Sequence, residues 1–275
     1  MPTPDSTFAH SHRIALSLEY DGAEFSGWQK QLSPSLATVQ QAVENALGRI
    51  ADHPVTVICA GRTDAGVHAT RQVIHFDAQI DRGEKAWVVG SNSILPKSIR
   101  ILTAARVDNE FHARFSATSR RYLYLILQRK IAPAILHSQV TQIADALDVP
   151  AMHEAAQGLL GERDFTSFRA AGCQSKTPNR NVMHANVYRQ GAFVILDIKA
   201  NAFLQHMVRN IVGTLLEIGR GHQSSDWLTD LVAQRDRTLA AMTAPPNGLY
   251  LAEVGYPDQY QLPQGLALPS FLAVS

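Results

Sequence analysis

The stretch Arg13-Ile-Ala-Leu-Ser-Leu-Glu-Tyr20 alternates so that every second side chain shares one face. The side chains on that face are Ile14, Leu16, Leu18 and Tyr20, all of them apolar or aromatic. Alternation with a period of two is typical of a half-buried β-strand. A helix is predicted to follow, because Thr38 can act as its N-cap, with Gln41 three residues later as in a capping box.

Outward from this strand and helix, the sequence predicts the order strand, helix, strand, strand, helix, strand twice along the chain. The first set comprises the strand over 13–20, the helix after Thr38, strands over 55–59 and 73–76, a helix over 84–94 and a strand over 99–107. The second set comprises a strand over 121–127, a helix over 150–160, strands over 182–188 and 193–198, a helix over 202–218 capped by Asn201, and a strand over 249–254. This order predicts an α+β protein with two ferredoxin-like β-α-β-β-α-β halves and a cleft between them.

The same order divides the chain into four predicted segments. They are an N-terminal extension over 1–12, disordered or loosely tied, a first half over 13–110, a second half over 111–256, and a C-terminal tail over 257–275. The tail contains three prolines, and chain ends of this kind are commonly loosely tied.

The bulk composition is that of an ordinary globular protein. Hydrophobic residues make up 45% and charged residues 18%, and 25 basic side chains nearly balance 24 acidic ones. This balance excludes a disordered tail protein and a uniformly basic nucleic-acid coat. Between Lys97 and Lys130, however, eight basic side chains stand against two acidic ones. That asymmetry fits a single anion-binding face, and a solvated strand surface would give the same count.

A cytoplasmic protein without a membrane partner is expected. No apolar run approaches the roughly 20 residues needed to cross a bilayer, and residues 1–6 are polar, without a signal-peptide core. The two cysteines, Cys59 and Cys173, stand in no metal-binding pairing. Neither a disulfide framework nor a structural zinc site is therefore indicated.

The densest set of special residues is Cys59-Ala-Gly-Arg-Thr-Asp-Ala-Gly-Val-His-Ala69, directly after an apolar strand. Gly61 and Gly66 let the backbone take positive φ or let another molecule approach closely, and loops at strand ends often display functional side chains. Asp64 can be a functional carboxylate here, or it can accept backbone hydrogen bonds in an Asx turn. A phosphate-binding loop is excluded, because its Lys and Ser or Thr are missing after the second glycine.

Two further clusters carry candidate functional residues. In one, Phe111-His-Ala-Arg-Phe115 and Arg120-Arg-Tyr122 interleave aromatic and basic side chains, which can stack on unpaired bases and hold phosphates. Strand alternation could equally place Tyr122 in the core. In the other, Arg209 points away from the main apolar stripe of its predicted helix, and it is either solvated or buried with a carboxylate partner. The eleven histidines lack metal-ligand spacing, so no metal is indicated.

At these clusters the sequence resembles the tRNA pseudouridine synthase A (TruA) family, over about residues 13–256. The matching motifs are Tyr20-Asp-Gly-Ala-Glu-Phe-Ser-Gly-Trp-Gln29, Gly61-Arg-Thr-Asp-Ala-Gly-Val-His68, Phe111-His-Ala-Arg-Phe115, Arg121-Tyr122, Asp164-Phe-Thr-Ser-Phe168, His206-Met-Val-Arg-Asn210 and Gly248-Leu-Tyr-Leu251. The resemblance implies a pseudouridine-synthase sheet with a central basic cleft, and isomerisation of uridine to pseudouridine at positions 38, 39 and 40 of the tRNA anticodon stem and loop. It also implies a homodimer, with one tRNA contacting both subunits, and no cofactor.

The same resemblance assigns roles to individual residues. It implies that Asp64 is the catalytic carboxylate, that Tyr122 packs on the target base and moves its proton, and that Arg209 pairs with the aspartate. The base-flipping arginine of the family falls on Arg62. Its tRNA-contacting segments fall on Phe111, His112, Ala113, Arg114 and Phe115, and on Gly172, Cys173, Gln174, Ser175 and Lys176.

The chemistry of such a reaction agrees with these residue types. Pseudouridine formation breaks the bond from N1 to C1′ and joins C5 to C1′ without redox change or an outside group. An ionised Asp64 can attack C1′ or C6, or take a C2′ proton toward a glycal, and Arg209 nearby would keep it charged.

Two other interpretations are weighed beside this one. A non-catalytic RNA-binding module is suggested because Arg189-Gln-Gly-Ala-Phe-Val-Ile-Leu196 partly matches an RNA-recognition motif, although its first and last aromatic residues are missing. A metal-free hydrolase using Asp64 and His68 is the third interpretation, and no evident water-activating constellation supports it.

Overall fold

The computed structural model describes residues 12–31 and 36–272. Its first six elements are β1 (His12–Tyr20), α1 (Val39–Ala51), β2 (Ile58–Cys59), β3 (His68–Ala78), α2 (Ser91–Ile94) and β4 (Ile99–Arg106). A π-helical turn over Ala86–Gly90 leads into α2. Thr38 caps α1 as predicted, because its side chain accepts a hydrogen bond from the Gln41 amide at 3.3 Å.

The second set of elements begins at residue 119. It comprises β5 (Ser119–Gln128), β6 (Thr141–Ile143), α3 (Val149–Gln157), β7 (Gly161–Asp164), β8 (Asn179–Gln190), β9 (Phe193–Ala200), α4 (Met207–Gly219), α5 (Trp227–Gln234) and β10 (Leu249–Gly255). Short 3₁₀ turns occupy Thr166–Phe168, Arg237–Leu239 and Asp258–Tyr260. The elements β6, β7 and α5 have no counterpart in the sequence prediction.

The strands of the described ranges form one sheet, in the order β4-β1-β3-β10-β5-β9-β8-β7, with β2 paired to β3 and β6 to β5. In the first unit, β1 is antiparallel to both β3 and β4. In the second unit, whose main strands are β5, β8, β9 and β10, β5 is antiparallel to both β9 and β10. Each unit therefore places its first strand between its third and fourth, as a ferredoxin-like unit does. The predicted α+β fold with two β-α-β-β-α-β units is confirmed.

A short parallel seam joins the two units. β3 meets β10 through two residue pairs, Tyr250 with His68 and Leu251 with Ala69. The buried His68 ring stacks on Tyr250 with centroids 4.7 Å apart, and its Nε2 atom lies 2.9 Å from the Ser138 carbonyl oxygen. The seam is thus stabilised by the contacts of His68 as well as by the two residue pairs between β3 and β10.

The helix α4 begins later than predicted. The pattern predicts a helix from residue 202 with Asn201 as its N-cap, whereas the first helical residue is Met207 and the cap is His206. Asn201 is otherwise engaged, because its Oδ1 atom accepts from the amides of Ala202 at 2.8 Å and Asn181 at 3.0 Å. Asparagine side chains compete with helix formation through such local hydrogen bonds. As a result, residues 201–206 form a separate turn before α4.

The tail is held more firmly than its composition suggests. A second apolar cluster covers the sheet face opposite the helices, and it includes Leu272, which is buried. The Thr70 hydroxyl donates to the Ala267 carbonyl oxygen at 2.6 Å, and Gln190 Nε2 donates to the Leu272 carbonyl oxygen at 3.1 Å. The described part of the tail therefore packs on the sheet, because its apolar side chains complete this cluster.

The predicted N-terminal extension over 1–12 lies outside the described residues except for His12, the first residue of β1. Residues 273–275 of the tail also lie outside them. Of the helices in the described part of the chain, none combines the length and the apolar character needed to span a membrane.

Candidate active site

The loop between β2 and β3 carries Asp64, and the motif that precedes α1 holds this loop in place. The Trp28 amide donates to the Thr63 carbonyl oxygen at 2.9 Å. A Cβ atom on Gly22 would lie 2.0 Å from the Val67 carbonyl oxygen, so this approach of the two backbones requires glycine. The motif before α1 therefore supports the loop and supplies no reactive group to it.

One carboxylate oxygen of Asp64 faces two side chains of the second unit. Its Oδ2 atom lies 3.5 Å from Nη1 of Arg209 and 3.3 Å from Nε2 of His206. Arg209 is fixed from behind, because its Nε atom donates to the Ala244 carbonyl oxygen at 2.7 Å. The Asp64 side chain is 34% exposed and that of Arg209 is 14% exposed. The structure thus brings Asp64 and Arg209 together, and it gives the guanidinium the carboxylate partner that a largely buried cation needs.

His206 is the residue of this site that the sequence did not indicate. It is the N-cap of α4, and its backbone is left-handed, with φ of 60°. The start of α4, which is the positive end of the helix dipole, lies beside Asp64 and is electrostatically complementary to a carboxylate. The available signal is the place of this histidine at the start of the His206–Asn210 motif, since the spacing of the histidines bears only on metal binding.

Tyr122 lies on β5 beside the Asp64 loop. A Cβ atom on Gly61 would lie 3.7 Å from the Tyr122 hydroxyl oxygen, and Phe203 meets the Tyr122 ring with centroids 5.1 Å apart. Burial raises the pKa of the Tyr122 phenol, and the negative charge of Asp64 adds to this against the opposing charge of Arg120. The phenol is therefore protonated at neutral pH.

Tyr124 shares the face of β5 that carries Tyr122 but has a structural role. Its hydroxyl donates to the Pro245 carbonyl oxygen at 2.8 Å and lies 2.7 Å from the Thr141 hydroxyl. The two predicted roles for tyrosines on this strand, packing in the core and lining a site, are therefore each found once. Tyr124 belongs to the core, whereas Tyr122 reaches the edge of the candidate site.

The segment from Phe111 to Phe115 has a buried and an exposed part. Phe111 and Ala113 are fully buried, so their side chains anchor the segment and do not face solvent. Phe115 is 75% exposed, and its ring stacks on that of His112 with centroids 4.3 Å apart. The guanidinium carbon of Arg114 lies 5.5 Å from the Phe115 ring centre. Three of the five predicted contact residues thus form an aromatic and basic surface.

Buried polar side chains fix this segment from below. Arg13 Nη1 donates to the Phe111 carbonyl oxygen at 2.9 Å, and the Tyr256 hydroxyl donates to the Ala113 carbonyl oxygen at 2.6 Å. The Ala113 amide donates to Nδ1 of His75 at 3.1 Å. Burial lowers the pKa of His75 to about 4, and the charge of Arg13 contributes, so the ring is neutral and can accept this bond.

Arg62 and the segment 172–176 lie at the surface. Arg62, Gly172, Gln174 and Lys176 are exposed, and Cys173 and Ser175 are half-buried. Arg169 Nη2 donates to the carbonyl oxygens of Cys173 and Ser175, both at 2.8 Å. The Gln205 amide donates to Sγ of Cys173 at 3.4 Å. The segment is therefore bonded to the turn that precedes α4.

Arg120 ties these separate parts together. Its guanidinium makes five hydrogen bonds, all to main-chain carbonyl oxygens of Ala60, Arg114, Ala117 and Asn201. Ala60 precedes the Asp64 loop and is bonded at 2.8 Å, while Arg114 belongs to the exposed aromatic surface and is bonded at 2.6 Å. One buried cation thus connects the Asp64 loop, the aromatic surface and the turn before α4.

The surroundings of His68 oppose the hydrolase interpretation. The Gly22 amide donates to Nδ1 at 3.0 Å, and Nε2 lies 3.1 Å from the Asn247 carbonyl oxygen. Nδ1 also lies 3.1 Å from Oδ1 of Asp21, so both ring nitrogens are occupied by groups other than Asp64 and neither forms a pair with it. Within the described ranges, no three His, Cys, Asp or Glu side chains form a group that could hold a metal ion.

The hairpin over 189–196 lacks the stacking surface of an RNA-recognition motif. Val194 and Leu196 are buried, and the aromatic residue Phe193 lies against Phe271 with ring centroids 6.1 Å apart. Base recognition by that motif requires exposed aromatic rings on the sheet. The interpretation as a non-catalytic binding module is therefore not favoured.

Known proteins resemble this chain over most of its length. The family model described as tRNA pseudouridine synthase matches residues 16–116 and 155–257. A relative from Shewanella woodyi, named tRNA pseudouridine synthase A, is 55% identical over 260 residues, covering 94% of this chain and 99% of the relative. Relatives of the same name from Enterobacter sp. and Escherichia coli are each 53% identical over 262 residues, covering 95% of this chain and 96% of each relative.

A solved structure described as "Crystal Structure of a Cbf5-Nop10-Gar1 Complex" overlaps more distantly. Its TM-score is 0.37 at 12% identity, covering 88% of this chain and 49% of that one, which is too remote to bear on the fold.

The fold and the site define an α+β protein with a carboxylate at the seam of two ferredoxin-like units and a guanidinium and an imidazole supplied from the opposite unit. The chain belongs to the tRNA pseudouridine synthase family. Pseudouridine synthases are isomerases, and the resemblance seen in the sequence motifs is confirmed.

Proposed function

We propose that this protein converts uridine to pseudouridine at positions 38, 39 and 40 in the anticodon stem and loop of tRNA, with Asp64 as the catalytic carboxylate. The observation that carries the proposal is the placement of Asp64 at the seam, partly exposed, with Arg209 behind one of its oxygens. The guanidinium supplies a counter-charge to the carboxylate, which in the proposed mechanism acts as nucleophile or base. The named relatives support the choice of tRNA as substrate.

The reaction is an internal exchange in which the uracil turns without leaving the site. The bond from N1 to C1′ breaks, C5 joins C1′, the C5 proton leaves and N1 gains a proton. Asp64 acts as the nucleophile or base of this exchange. Tyr122 packs on the uracil and, being protonated, relays or supplies a proton instead of acting as an ionised base. The exchange needs no cofactor, since oxidation state and composition do not change.

Access to C1′ requires the nucleotide to leave its stack, which costs a few kcal/mol. In the proposed mechanism Arg62 fills the vacated position, and its exposure on the Asp64 loop supports this role. The surface formed by His112, Arg114 and Phe115 stacks on bases and holds phosphates, and Lys176 of the second segment adds a further cation. Binding through phosphates and stacking is expected to weaken strongly with salt.

We also infer a cytoplasmic homodimer in which one tRNA contacts both subunits. The family resemblance supports this, and so do exposed apolar side chains beside the second core cluster. Ile131 and Ile135 precede Leu136, which packs against this cluster, and Phe271 is next to the buried Leu272. Large apolar side chains left exposed beside a core cluster support an interface there. Light scattering should give twice the mass of the 30.1 kDa chain, and a monomeric mass would contradict the inference.

The proposed reaction is tested by tritium release from C5-labelled uridine in an unmodified tRNA transcript. We expect release with the wild-type protein and none with Asp64→Asn, although that variant still binds tRNA, because its side chain is nearly isosteric but uncharged. Glu24→Gln is the matched control, since Glu24 is an exposed carboxylate on the motif that supports the Asp64 loop. Turnover by Asp64→Asn would assign the chemistry to another group. Binding without release by the wild type would favour the non-catalytic alternative.

A further inference from the structure

The observations at Asp64 extend to its second neighbour, His206. We propose that His206 is a positioning residue that donates a hydrogen bond from Nε2 to Oδ2 of Asp64, so that Oδ1 is the oxygen presented to the substrate. This inference rests on the proposed function, and it adds a residue and an atomic assignment to that function.

The contact geometry determines which tautomer of the His206 imidazole can donate a hydrogen bond to Asp64. Nε2 of His206 and Oδ2 of Asp64 are 3.3 Å apart, and a carboxylate oxygen can only accept. The proton must therefore be on Nε2. Arg209 approaches the same oxygen at 3.5 Å, which is longer than a tight charge-assisted hydrogen bond. Catalytic hydrogen bonds of this length commonly shorten when the substrate binds and water leaves.

Arg209 and His206 both contact the same carboxylate oxygen of Asp64. The two oxygens of this carboxylate therefore have different roles. In the part of the chain that the structure describes, the ion-pair contacts of the Asp64 side chain are all made through Oδ2 and none through Oδ1, and neither contact yet has hydrogen-bond geometry. Two partners on Oδ2 restrict rotation of the carboxylate more than one partner would. Oδ2 thus faces Arg209 and His206, and the lone pairs of Oδ1 are available for the reaction.

The backbone of His206 gives an independent reason to assign it a role. Its φ of 60° lies in the left-handed region, which few non-glycine residues adopt, although histidine is among those enriched there. Strained backbone conformations of this kind persist where the surroundings hold them, and they are concentrated at functional sites. A glycine would adopt the same conformation without strain, so the side chain is retained at a cost in stability.

The turn that carries His206 is also bonded to the segment assigned to tRNA contact. The Ala170 amide donates to the Gln205 carbonyl oxygen at 3.1 Å, and the Gln205 amide donates to Sγ of Cys173 at 3.4 Å. The residue immediately before His206 is therefore held on both sides by the chain around 170–173. Contact of tRNA with that segment would act directly on the turn that positions the imidazole.

The test compares His206→Gly and His206→Gln with the wild type in single-turnover tritium release and in tRNA binding. His206→Gly relieves the strain and removes the donor, so its thermal midpoint should not fall. Its turnover should fall about ten- to a hundred-fold, as expected for loss of one hydrogen bond to a charged group, with little change in tRNA affinity. Glutamine can place its amide Nε2 near the position of the imidazole Nε2, so His206→Gln should recover much of the lost turnover.

The matched control is His222→Gly, which removes a histidine paired with Glu217 at 2.9 Å at the other end of α4 and should leave turnover unchanged. Wild-type turnover in His206→Gly would overturn the assignment, and so would a loss confined to tRNA affinity. If a folded His206→Gln variant lost as much turnover as His206→Gly, the hydrogen-bond role of His206 would be rejected. An inactive wild-type protein would instead contradict the proposed function itself, so the two failures are distinguishable.

Discussion

The ring of Phe203 meets the ring of Tyr122 edge to face, with centroids 5.1 Å apart and planes at 86°. This contact exists because Phe203 lies in the turn before α4 and not on the helix itself. The turn brings the aromatic side chain across to β5 of the same unit. It fixes the Tyr122 ring plane while leaving the hydroxyl toward the Asp64 loop.

Tyr122→Phe should preserve this packing and remove the phenolic proton. Because burial keeps the phenol protonated, we expect loss of proton transfer to lower single-turnover tritium release by roughly a hundredfold or more, with tRNA affinity little changed. Tyr124→Phe is the matched control, since its hydroxyl bonds only to the core groups Thr141 and Pro245 among the described residues. The control should lose stability but keep its turnover. An unchanged rate in Tyr122→Phe would leave stacking as the role of this ring.

Arg209→Lys should separate charge from geometry. Lysine keeps a positive charge but lacks the Nε atom that donates to Ala244, so the cation is no longer held behind Asp64. We expect turnover to fall about ten- to a hundred-fold, with tRNA affinity within about threefold of the wild type. Arg220→Lys alters an ion-paired arginine at the other end of α4 and should have neither effect. Equal losses of turnover and affinity in Arg209→Lys would argue against a tie to Asp64.

Arg120→Met should destabilise the protein because four main-chain carbonyl groups, which are buried or partly buried, lose their donor. We expect the free energy of unfolding in urea to fall by about 2–4 kcal/mol. We also expect a loss of tRNA affinity that is larger, relative to the loss of stability, than in any other core substitution, because the Asp64 loop and the Arg114 segment separate. Arg121→Met provides the comparison on the opposite side of the same strand, where Asp197 is the main partner. If tRNA affinity followed stability equally in both variants, Arg120 would have no coupling role.

His75 should make folding stability depend on pH in a defined window. Its pKa falls from the ordinary 6.5 to about 4 in the folded protein, chiefly by burial, so between these values the unfolded chain binds a proton that the folded chain does not. The free energy of unfolding therefore falls as pH is lowered through this window. Denaturant titrations at pH 7 and pH 4.5 should show a smaller fall for His75→Gln than for the wild type. His137→Gln, at an exposed histidine, should behave as the wild type, and an identical slope for all three proteins would contradict this prediction.

The parts of the fold that follow local patterns were predictable from the sequence. Alternation located β1, and the Thr38 cap located α1, because both signals involve neighbouring residues only. The start of α4 was not predictable in this way, since Asn201 has the features of a cap but its side chain is engaged by the distant amide of Asn181. β2 is shorter than predicted for a similar reason, because the Val57 amide donates to Glu44 on α1 and not to a strand.

The same distinction applies to the candidate site. The motif around Asp64 and the presence of Arg209 were visible in the sequence, and the structure brings the two together. The contribution of His206 depends on a left-handed backbone and on a contact across the seam, which no spacing rule reports. The burial of Phe111 and Ala113 was likewise hidden, because residues 111–115 belong to no strand or helix and follow no regular period of buried and exposed side chains.

The seam has a consequence for how the molecule is made. Asp64 is synthesised with the first unit, whereas His206 and Arg209 emerge from the ribosome only near the end of translation. An interrupted chain ending before residue 206 would carry the aspartate without either partner side chain, and a chain whose units fail to join would separate them again. On the proposed mechanism, the ability to alter RNA is thus restricted to copies in which both units are complete and joined.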